Sequence, residues 1–159
     1  MTSPSTNATR FLREQGIAFG EHSYPYQDKG GTAASSKALG VDEHAVVKTL
    51  IMETEKGEAL VVLMHGDRQV STKALARLAG YKLVRACAPD VAERHSGYVV
   101  GGTSPFGTRR KMPVFMERSI LELPKIYING GSRGFLVSLD PKEAARVLSA
   151  MLVDVGIES

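Results

Sequence analysis

Lys48 is the residue whose position most strongly suggests chemistry, because it interrupts an apolar segment. Residues 46–52 read VVKTLIM and predict a buried strand, in which alternate side chains face the same way. Val46, Lys48, Leu50 and Met52 would then share one face. An ammonium among apolar side chains is costly to bury without a partner, so it would line a cleft, pair with an acidic group or bind an anionic ligand. The alternative is a strand at a sheet edge, from which the lysine side chain reaches solvent.

A second candidate site is a glycine-rich loop at residues 101–107, which a basic run follows. Adjacent glycines let a ligand approach the backbone closely and permit positive φ angles. Such a loop would hold a small polar group through backbone atoms, with cations at its rim for phosphates. An ordinary turn beside a solvated basic run is the alternative. The residues concerned are Gly101, Gly102, Thr103, Ser104, Pro105, Phe106, Gly107, Arg109, Arg110 and Lys111.

Other common catalytic patterns are missing from the sequence. The four histidines do not cluster with Cys, Asp or Glu at zinc-like spacing, so we expect no metal and no cofactor. Cys87 carries no local nucleophile signature and is typical of a small core residue. Neither the Gly-x-Ser-x-Gly elbow of α/β-hydrolases nor the phosphate-binding loop of nucleotide hydrolases occurs.

Composition favours one soluble domain. The chain has 159 residues, 43% of them hydrophobic, which is enough for a sizeable core. Its formal net charge of +3 is compatible with an anionic partner without demonstrating one. A single cysteine excludes an intramolecular disulfide framework. We find no apolar run of membrane-spanning length and no signal peptide, so we expect a cytoplasmic protein without a membrane partner.

The elements that must position these residues alternate between short helices and strands. We expect residues 1–6 to be frayed and residues 7–159 to form one domain. Strands are predicted at 17–24, 46–52, 59–64, 81–86, 114–116, 125–128 and 135–139, with helices starting near residues 7, 32, 72, 89 and 141. Many connections are too short for parallel crossovers. The fold class is therefore mixed α/β, with a curved, barrel-like sheet surrounded by helices.

Four segments together resemble the YbaK/EbsC family, which includes free-standing aminoacyl-tRNA deacylases and the editing domain inserted in bacterial prolyl-tRNA synthetases. They are residues 22–24 (HSY), 47–50 (VKTL), 96–107 (SGYVVGGTSPFG) and 126–134 (IYINGGSRG). The resemblance spans about residues 11–154 and implies the family's mixed, barrel-like sheet. It further implies that Lys48 is the family's essential lysine and Tyr24 a pocket tyrosine. Gly101 would match a glycine whose backbone carbonyl positions the aminoacyl end.

The function implied by the resemblance is trans-editing, the deacylation of mischarged aminoacyl-tRNA. The Cys-tRNA(Pro) deacylases are the most similar members; in them the thiol of the cysteinyl substrate attacks its own ester. The implied partners are the 3′ end of aminoacyl-tRNA and prolyl-tRNA synthetase. We expect Lys48 and Gly101 to be catalytic, Tyr24, Thr32, Gly102, Thr103, Ser104, Pro105, Phe106, Gly107, Gly130 and Gly131 to bind substrate, and Arg109, Arg110, Lys111 and Arg133 to contact tRNA phosphates.

Three alternatives stay open on the sequence. Relatives often carry an aspartate where this chain has Leu136, so the amino acid removed could be another, such as alanine. The chain could instead be a tRNA- or nucleotide-binding regulatory module without hydrolytic activity. Regulation of cell-surface components is a third reading, which no residue of the sequence supports directly.

Overall fold

Hydroxyl, proline and glycine residues set the ends of the helices. The side chain of Ser71 accepts a hydrogen bond from the amide of Ala74 and begins a helix that Gly80 ends in the left-handed conformation. Pro89 begins the next helix, where its missing N–H costs nothing. The computed structural model describes residues 4–158. Its helices are α1 (Asn7–Glu14), α2 (Gly31–Leu39), α3 (Thr72–Ala79), α4 (Pro89–Ser96) and α5 (Pro141–Leu148).

The strands form one mixed sheet and one separate antiparallel pair. They are β1 (Gly20–Ser23), β2 (Val46–Thr54), β3 (Ala59–His65), β4 (Arg68–Val70), β5 (Val84–Ala86), β6 (Val114–Glu117), β7 (Ile126–Ser132), β8 (Phe135–Leu139), β9 (Met151–Val153) and β10 (Gly156–Glu158). The large sheet has the order β1-β8-β7-β2-β3-β6-β9, and β5 pairs with β2 outside this path. β10 pairs with β4. The predicted fold class, a mixed α/β sheet flanked by helices, is confirmed.

The central strands β2 and β3 contribute to two hydrophobic clusters, one on each face of the sheet. Val47 and Ile51 belong to the first cluster, against which α1 and α5 pack. Met52 belongs to the second, which α3 covers through Leu75 and Ala76. Because β2 is buried on both sides, Lys48 and Thr49 stand out as polar exceptions within its apolar segment, residues 46–52. No helix of residues 4–158 is long and apolar enough to cross a membrane.

The prediction that residues 1–6 are frayed is wrong for Thr6. Residues 1–3 lie outside the described residues. Thr6 caps α1: its hydroxyl accepts from the amide of Thr9 at 3.1 Å and donates to the carbonyl of Gly130 at 2.5 Å. The second bond links the start of the chain to β7, a long-range contact that local sequence does not reveal.

Candidate functional site

A cleft opens where β2 has no neighbouring strand along part of one edge. On that edge β2 pairs with β7 only through Val46 and Val47, and with β5 only from Met52 onward. The amide of Cys87 donates to the carbonyl of Ile51 at 3.2 Å. Within residues 4–158, no strand pairs with residues 48–50 on this side. The resulting cleft has a volume of about 600 Å³.

The sequence explains why β5 stops short of closing this gap. β5 ends at Ala86, and three residues later Pro89 begins α4. Proline has no amide hydrogen to donate to a neighbouring strand, and its fixed φ angle favours the first turn of a helix. The chain therefore turns away from β2, and Pro89 and Ala92 of α4 form part of the cleft wall instead.

Lys48 lines this cleft and is partly buried. Burial lowers the pKa of its ammonium, while the carboxylates of Glu43 and Asp67 pull the pKa partly back up. Of the options for this lysine, the cleft is present, and Glu43 and Asp67 act on its charge without forming an ion pair with it among the described residues. The sheet-edge alternative is wrong, because β2 lies between β7 and β3 in the middle of the sheet.

The two carboxylates near Lys48 are themselves held by neighbours. The hydroxyl of Thr32, which also lines the cleft, donates to Glu43 Oε2 at 2.7 Å. Asp67 Oδ1 lies 2.9 Å from Nδ1 of His44. Thr32 was expected to bind substrate; its hydroxyl hydrogen is directed at Glu43, which leaves its oxygen to accept a further bond.

His44, His65 and Asp67 form a cluster that their sequence spacing does not reveal. One ligand atom from each lies within 4.8 Å of the others, and the two imidazole rings stack at 3.7 Å. Nδ1 of buried His65 faces the carbonyl of His44 at 2.7 Å, so this nitrogen donates and Nε2 accepts from Ser119 at 2.7 Å. Both ring nitrogens of His65 are thus occupied, and a metal ion would have to displace one of these bonds.

Thr49 is a cleft residue that the sequence reasoning missed. Among residues 4–158, its Oγ1 is the only buried side-chain oxygen or nitrogen without a hydrogen-bond partner. A buried polar atom without a partner costs roughly 1–3 kcal/mol. Thr49 belongs to the cleft wall beside the unpaired edge of β2, and a ligand that reached Oγ1 would supply the missing bond. A hydroxyl in an otherwise apolar strand, next to a lysine, was the available signal.

The carbonyl groups of Val100 and Gly101 are fixed at the opposite wall. Asn129 Nδ2 donates to the Gly101 carbonyl at 3.1 Å, and Arg133 Nε donates to the Val100 carbonyl at 2.8 Å. The Arg133 guanidinium also lies 5.3 Å from the centre of the Tyr26 ring. A carbonyl oxygen has two lone pairs, so Gly101 can accept another bond from a ligand. Asn129 was not predicted, because only the fold brings it beside residue 101.

Tyr24 and Thr103 line the same cleft, as the sequence predicted for substrate contacts. Burial, together with the neighbouring phenol of Tyr26, raises the pKa of Tyr24, so its hydroxyl remains a neutral hydrogen-bonding group at physiological pH. The Thr103 hydroxyl lies 3.4 Å from the carbonyl of Val99, close to the rim.

The other expected substrate contacts lie away from the cleft wall. Phe106 is fully buried and stacks against Phe11, with ring centres 6.1 Å apart. The hydroxyl of buried Tyr98 donates to the Phe106 carbonyl at 2.5 Å, and burial raises the pKa of Tyr98 to about 12. These contacts give this part of the loop a structural role. Glycine-rich composition alone does not distinguish a structural loop from one that binds a ligand. The residues outside the cleft lining are Gly102, Ser104, Pro105, Phe106, Gly107, Gly130 and Gly131.

Of the expected phosphate contacts, Arg133 lines the cleft and the basic run does not. Arg109, Arg110 and Lys111 are exposed beside the C-terminal end of α4. There the amide of Arg110 donates to the carbonyl of His95 at 3.1 Å. The start of α4 borders the cleft, so this run lies about one helix length away from it.

The charge and chemistry of the cleft suit an anionic ligand that brings its own reactive group. Lys29, Lys48 and Arg133 outnumber Asp28, the one acidic residue in its wall. Cys87 also lines it, but burial raises the pKa of the thiol, which keeps it protonated and weakly nucleophilic. The cleft thus offers positive charge and a fixed carbonyl.

Comparison with known proteins shows which family the chain resembles. The sequence model described as "aminoacyl-tRNA editing domain" matches residues 28–147. The Enterococcus faecalis protein EbsC, named a "putative Cys-tRNA(Pro)/Cys-tRNA(Cys) deacylase", is 24% identical over 155 residues, which are 97% of this chain and 94% of EbsC. A proline–tRNA ligase of Syntrophotalea carbinolica is 36% identical over 67 residues, 42% of this chain and 12% of the ligase.

A solved structure supports the fold independently. The crystal structure of a "putative trans-editing enzyme for prolyl tRNA synthetase" superposes with a TM-score of 0.85, at 24% identity, covering 98% of this chain and 99% of that one. At this identity the likeness establishes the arrangement of strands and helices around the cleft.

Proposed function

The chain belongs to the aminoacyl-tRNA editing domain family, and from that premise we propose that it hydrolyses mischarged aminoacyl-tRNA, with Cys-tRNA(Pro) as its preferred substrate. The family match covers residues 28–147, which include the cleft residues from Asp28 to Leu136. EbsC, which is named for this substrate, aligns along nearly the whole chain. The observation that carries the proposal is the position of the Lys48 ammonium in a cleft that also contains Gly101.

The geometry supports binding of the aminoacyl end between β2 and residues 100–101. Lys48 attracts the negative charge of the terminal phosphodiester or of the oxyanion that develops at the ester carbonyl. The Gly101 carbonyl, held by Asn129, can accept from the amino group of the bound amino acid. Asp28 supplies a carboxylate in the same wall, and Leu136 adds an apolar surface for a small side chain.

The chemistry we propose uses the thiol of the cysteinyl group as nucleophile. Its sulfur attacks the neighbouring ester carbonyl, the bond from that carbon to the ribose oxygen breaks, and the thiol proton ends on the departing ribose hydroxyl. Water then opens the resulting thiolactone and releases cysteine. The protein contributes positioning and charge, and intramolecular attack in a fixed geometry is worth several kcal/mol. The raised pKa of the Cys87 thiol makes it a weak nucleophile, which agrees with a reaction in which the substrate supplies the nucleophile.

The direct test is a panel of tRNA(Pro) charged with cysteine, alanine, serine or proline. We expect Cys-tRNA(Pro) to be deacylated fastest and Pro-tRNA(Pro) to be spared, with release of the labelled amino acid as the measurement. Seryl-tRNA is the informative analogue, because it replaces the thiol by a much less nucleophilic hydroxyl in nearly the same shape.

Two other outcomes would select the alternatives. Fastest release of alanine would mean that the protein is a deacylase with a different preferred substrate. Because the side chain of alanine has no nucleophile, water would then have to attack the ester. Binding of charged tRNA without deacylation would favour a non-catalytic module and contradict the proposal.

Adding prolyl-tRNA synthetase to the reaction tests whether the synthetase is a partner: the expected result is a faster reaction at low tRNA concentration.

Replacing Thr49 with valine is expected to have opposite effects on stability and on activity. Valine keeps the shape and removes the buried hydroxyl that has no partner within residues 4–158. The free energy of unfolding of the unliganded protein should therefore rise by about 1 kcal/mol. If substrate supplies the missing hydrogen bond, deacylation should fall about tenfold, by loss of one such bond. Denaturant unfolding and initial rates give the two values.

Thr49→Ser is the matched control, because it keeps the hydroxyl and removes only a methyl group. It should retain most of the activity. Wild-type rates for Thr49→Val would show that the hydroxyl does not contact the substrate.

A further inference from the structure

A shallow groove of about 240 Å³ lies between α3 and the segment that leads into β5. One wall carries Lys73 and Arg77, and the other carries Lys82. All three side chains are exposed. Tyr81, at the base, packs edge-to-face against Phe115 at 6.4 Å, which fixes the second wall to the core.

Within residues 4–158 the three cations of this groove form no ion pair, which is also true of exposed lysines elsewhere such as Lys37 and Lys125, so their convergence on one concave surface is what sets them apart. Elsewhere on the surface, Arg118 pairs with Asp154, and Arg146 with Glu143. The six ion pairs found within residues 4–158 include none of the groove cations; they involve Arg13, His44, Arg85, Arg94, Arg118 and Arg146.

The positive charges of this groove repel one another, and one carboxylate lies nearby: Glu55 Oε1 accepts from the amides of Lys82 and Leu83 at 3.0 and 3.2 Å. Lys73 and Arg77 are four residues apart on α3, so they lie on one helix face, where like charges repel. Lys82 adds a third positive charge from across the groove. An anion between the walls would relieve this repulsion, and phosphate is well suited because it accepts bonds from several donors at once.

The groove and the cleft are neighbours along β5. Val84 borders the groove and Ala86 borders the cleft. Two residues of a strand span about 7 Å, and their side chains point to the same face. A polynucleotide whose 3′ end occupies the cleft can therefore place its preceding phosphates along the groove.

We propose that this groove binds backbone phosphates of the tRNA acceptor end. The inference rests on the proposed function and extends it, because the basic run at residues 109–111 was the surface expected to contact phosphates. That run lies beside the far end of α4 and lines neither the cleft nor the groove. The groove lies two residues along β5 from the cleft and brings three cations together on a concave surface.

The test measures the affinity of uncharged tRNA(Pro), so that it does not depend on deacylation. The variant replaces Lys73, Arg77 and Lys82 with alanine. We expect the Kd to rise at least tenfold at low salt, and the slope of log K against log salt to fall by about 2 to 3, close to one per lost phosphate contact. Arg77→Glu is a second variant, expected to weaken binding more than Arg77→Ala does.

Two further triple variants each remove three positive charges, as the groove variant does. Replacing exposed Lys37, Lys125 and Lys142 with alanine should leave the Kd and the salt slope near those of wild type, and circular dichroism checks the fold of every variant. Replacing Arg109, Arg110 and Lys111 tests the rival surface. A large effect there, with wild-type binding by the groove triple, would overturn the inference.

The same measurements separate this inference from the proposed function. If the wild-type protein deacylates Cys-tRNA(Pro) and the groove triple binds tRNA normally, the groove assignment alone is wrong. If the groove triple loses affinity and wild type deacylates no member of the panel, the groove assignment holds and the deacylase proposal is wrong.

Discussion

Lys48→Met is expected to remove most of the deacylase activity while raising the free energy of unfolding. Methionine fills a similar volume without the charge. Loss of one well-placed electrostatic contact to a transition state typically costs about 100-fold to 1,000-fold in rate, and we expect kcat/KM to fall within that range. Stability should move the other way, because burial lowers the pKa of Lys48 more than Glu43 and Asp67 raise it. The charged lysine is therefore a net burden to the folded state.

The lowered pKa of Lys48 also determines how stability and activity depend on pH. The folded protein binds the Lys48 proton less tightly than the unfolded chain, whose lysine pKa is about 10.5. Between the lowered pKa and 10.5 the unfolded state holds more protons, so this residue's contribution to folding stability rises with pH across that window. Activity that depends on the ammonium falls as pH rises through the lowered pKa. Lys48→Met should abolish this residue's contribution to the rise of stability with pH. Lys48→Arg should move the fall of activity to higher pH.

Single-turnover rates at several substrate concentrations show what the lysine does in the reaction. A loss confined to kcat assigns Lys48 to the developing oxyanion, whereas a loss confined to KM assigns it to the terminal phosphate. Lys125→Ala, at an exposed position, is the control for a simple change of charge. Wild-type kcat/KM in a folded Lys48→Met protein would refute the assigned role.

Helix boundaries were predictable from the sequence because their signals are local. Ser71 and Gly80 bound α3, and Pro89 and Pro141 begin α4 and α5, as the sequence predicts. The strands β4, β9 and β10 were missed. Each has three residues, and each pairs with a segment distant in sequence, so neither its length nor its periodicity separates it from a loop.

The site was predictable only in part, for a related reason. Lys48 could be identified because its neighbours are apolar, which is a local observation. For Thr49 the same local signal marks the residue but not its role, which depends on where β5 stops, and Asn129 gives no local signal, because its role depends on how β7 approaches residue 101. Glycine-rich composition also misled: it is typical of backbone packing as well as of ligand contact. Gly130, where an added Cβ would lie 2.5 Å from the ring of Phe135, is an example of the former.

Gly101→Ala is expected to lower kcat/KM at least tenfold with only a modest loss of stability. Gly101 has a φ of 88°, a conformation that costs a residue with a Cβ about 1–2 kcal/mol. The added Cβ would also lie 2.5 Å from the hydroxyl of Tyr26. That ring is covered by Arg133, which is itself bonded to the Val100 carbonyl, so it cannot move away without disturbing the cleft wall. The Gly101 carbonyl would then be displaced from the substrate.

Gly57→Ala separates backbone strain from damage to the cleft. Gly57 lies in the turn between β2 and β3 with a similar φ of 76°, and an added Cβ there would have no heavy atom within 4 Å. Both variants should therefore lose about 1 kcal/mol of unfolding free energy in denaturant titrations, since both carry the strain of the left-handed region. Only Gly101→Ala should lose activity on Cys-tRNA(Pro). Equal rates for the two variants would mean that the position of the Gly101 carbonyl does not matter for catalysis, and the substrate would then have to be held by the β2 side of the cleft alone.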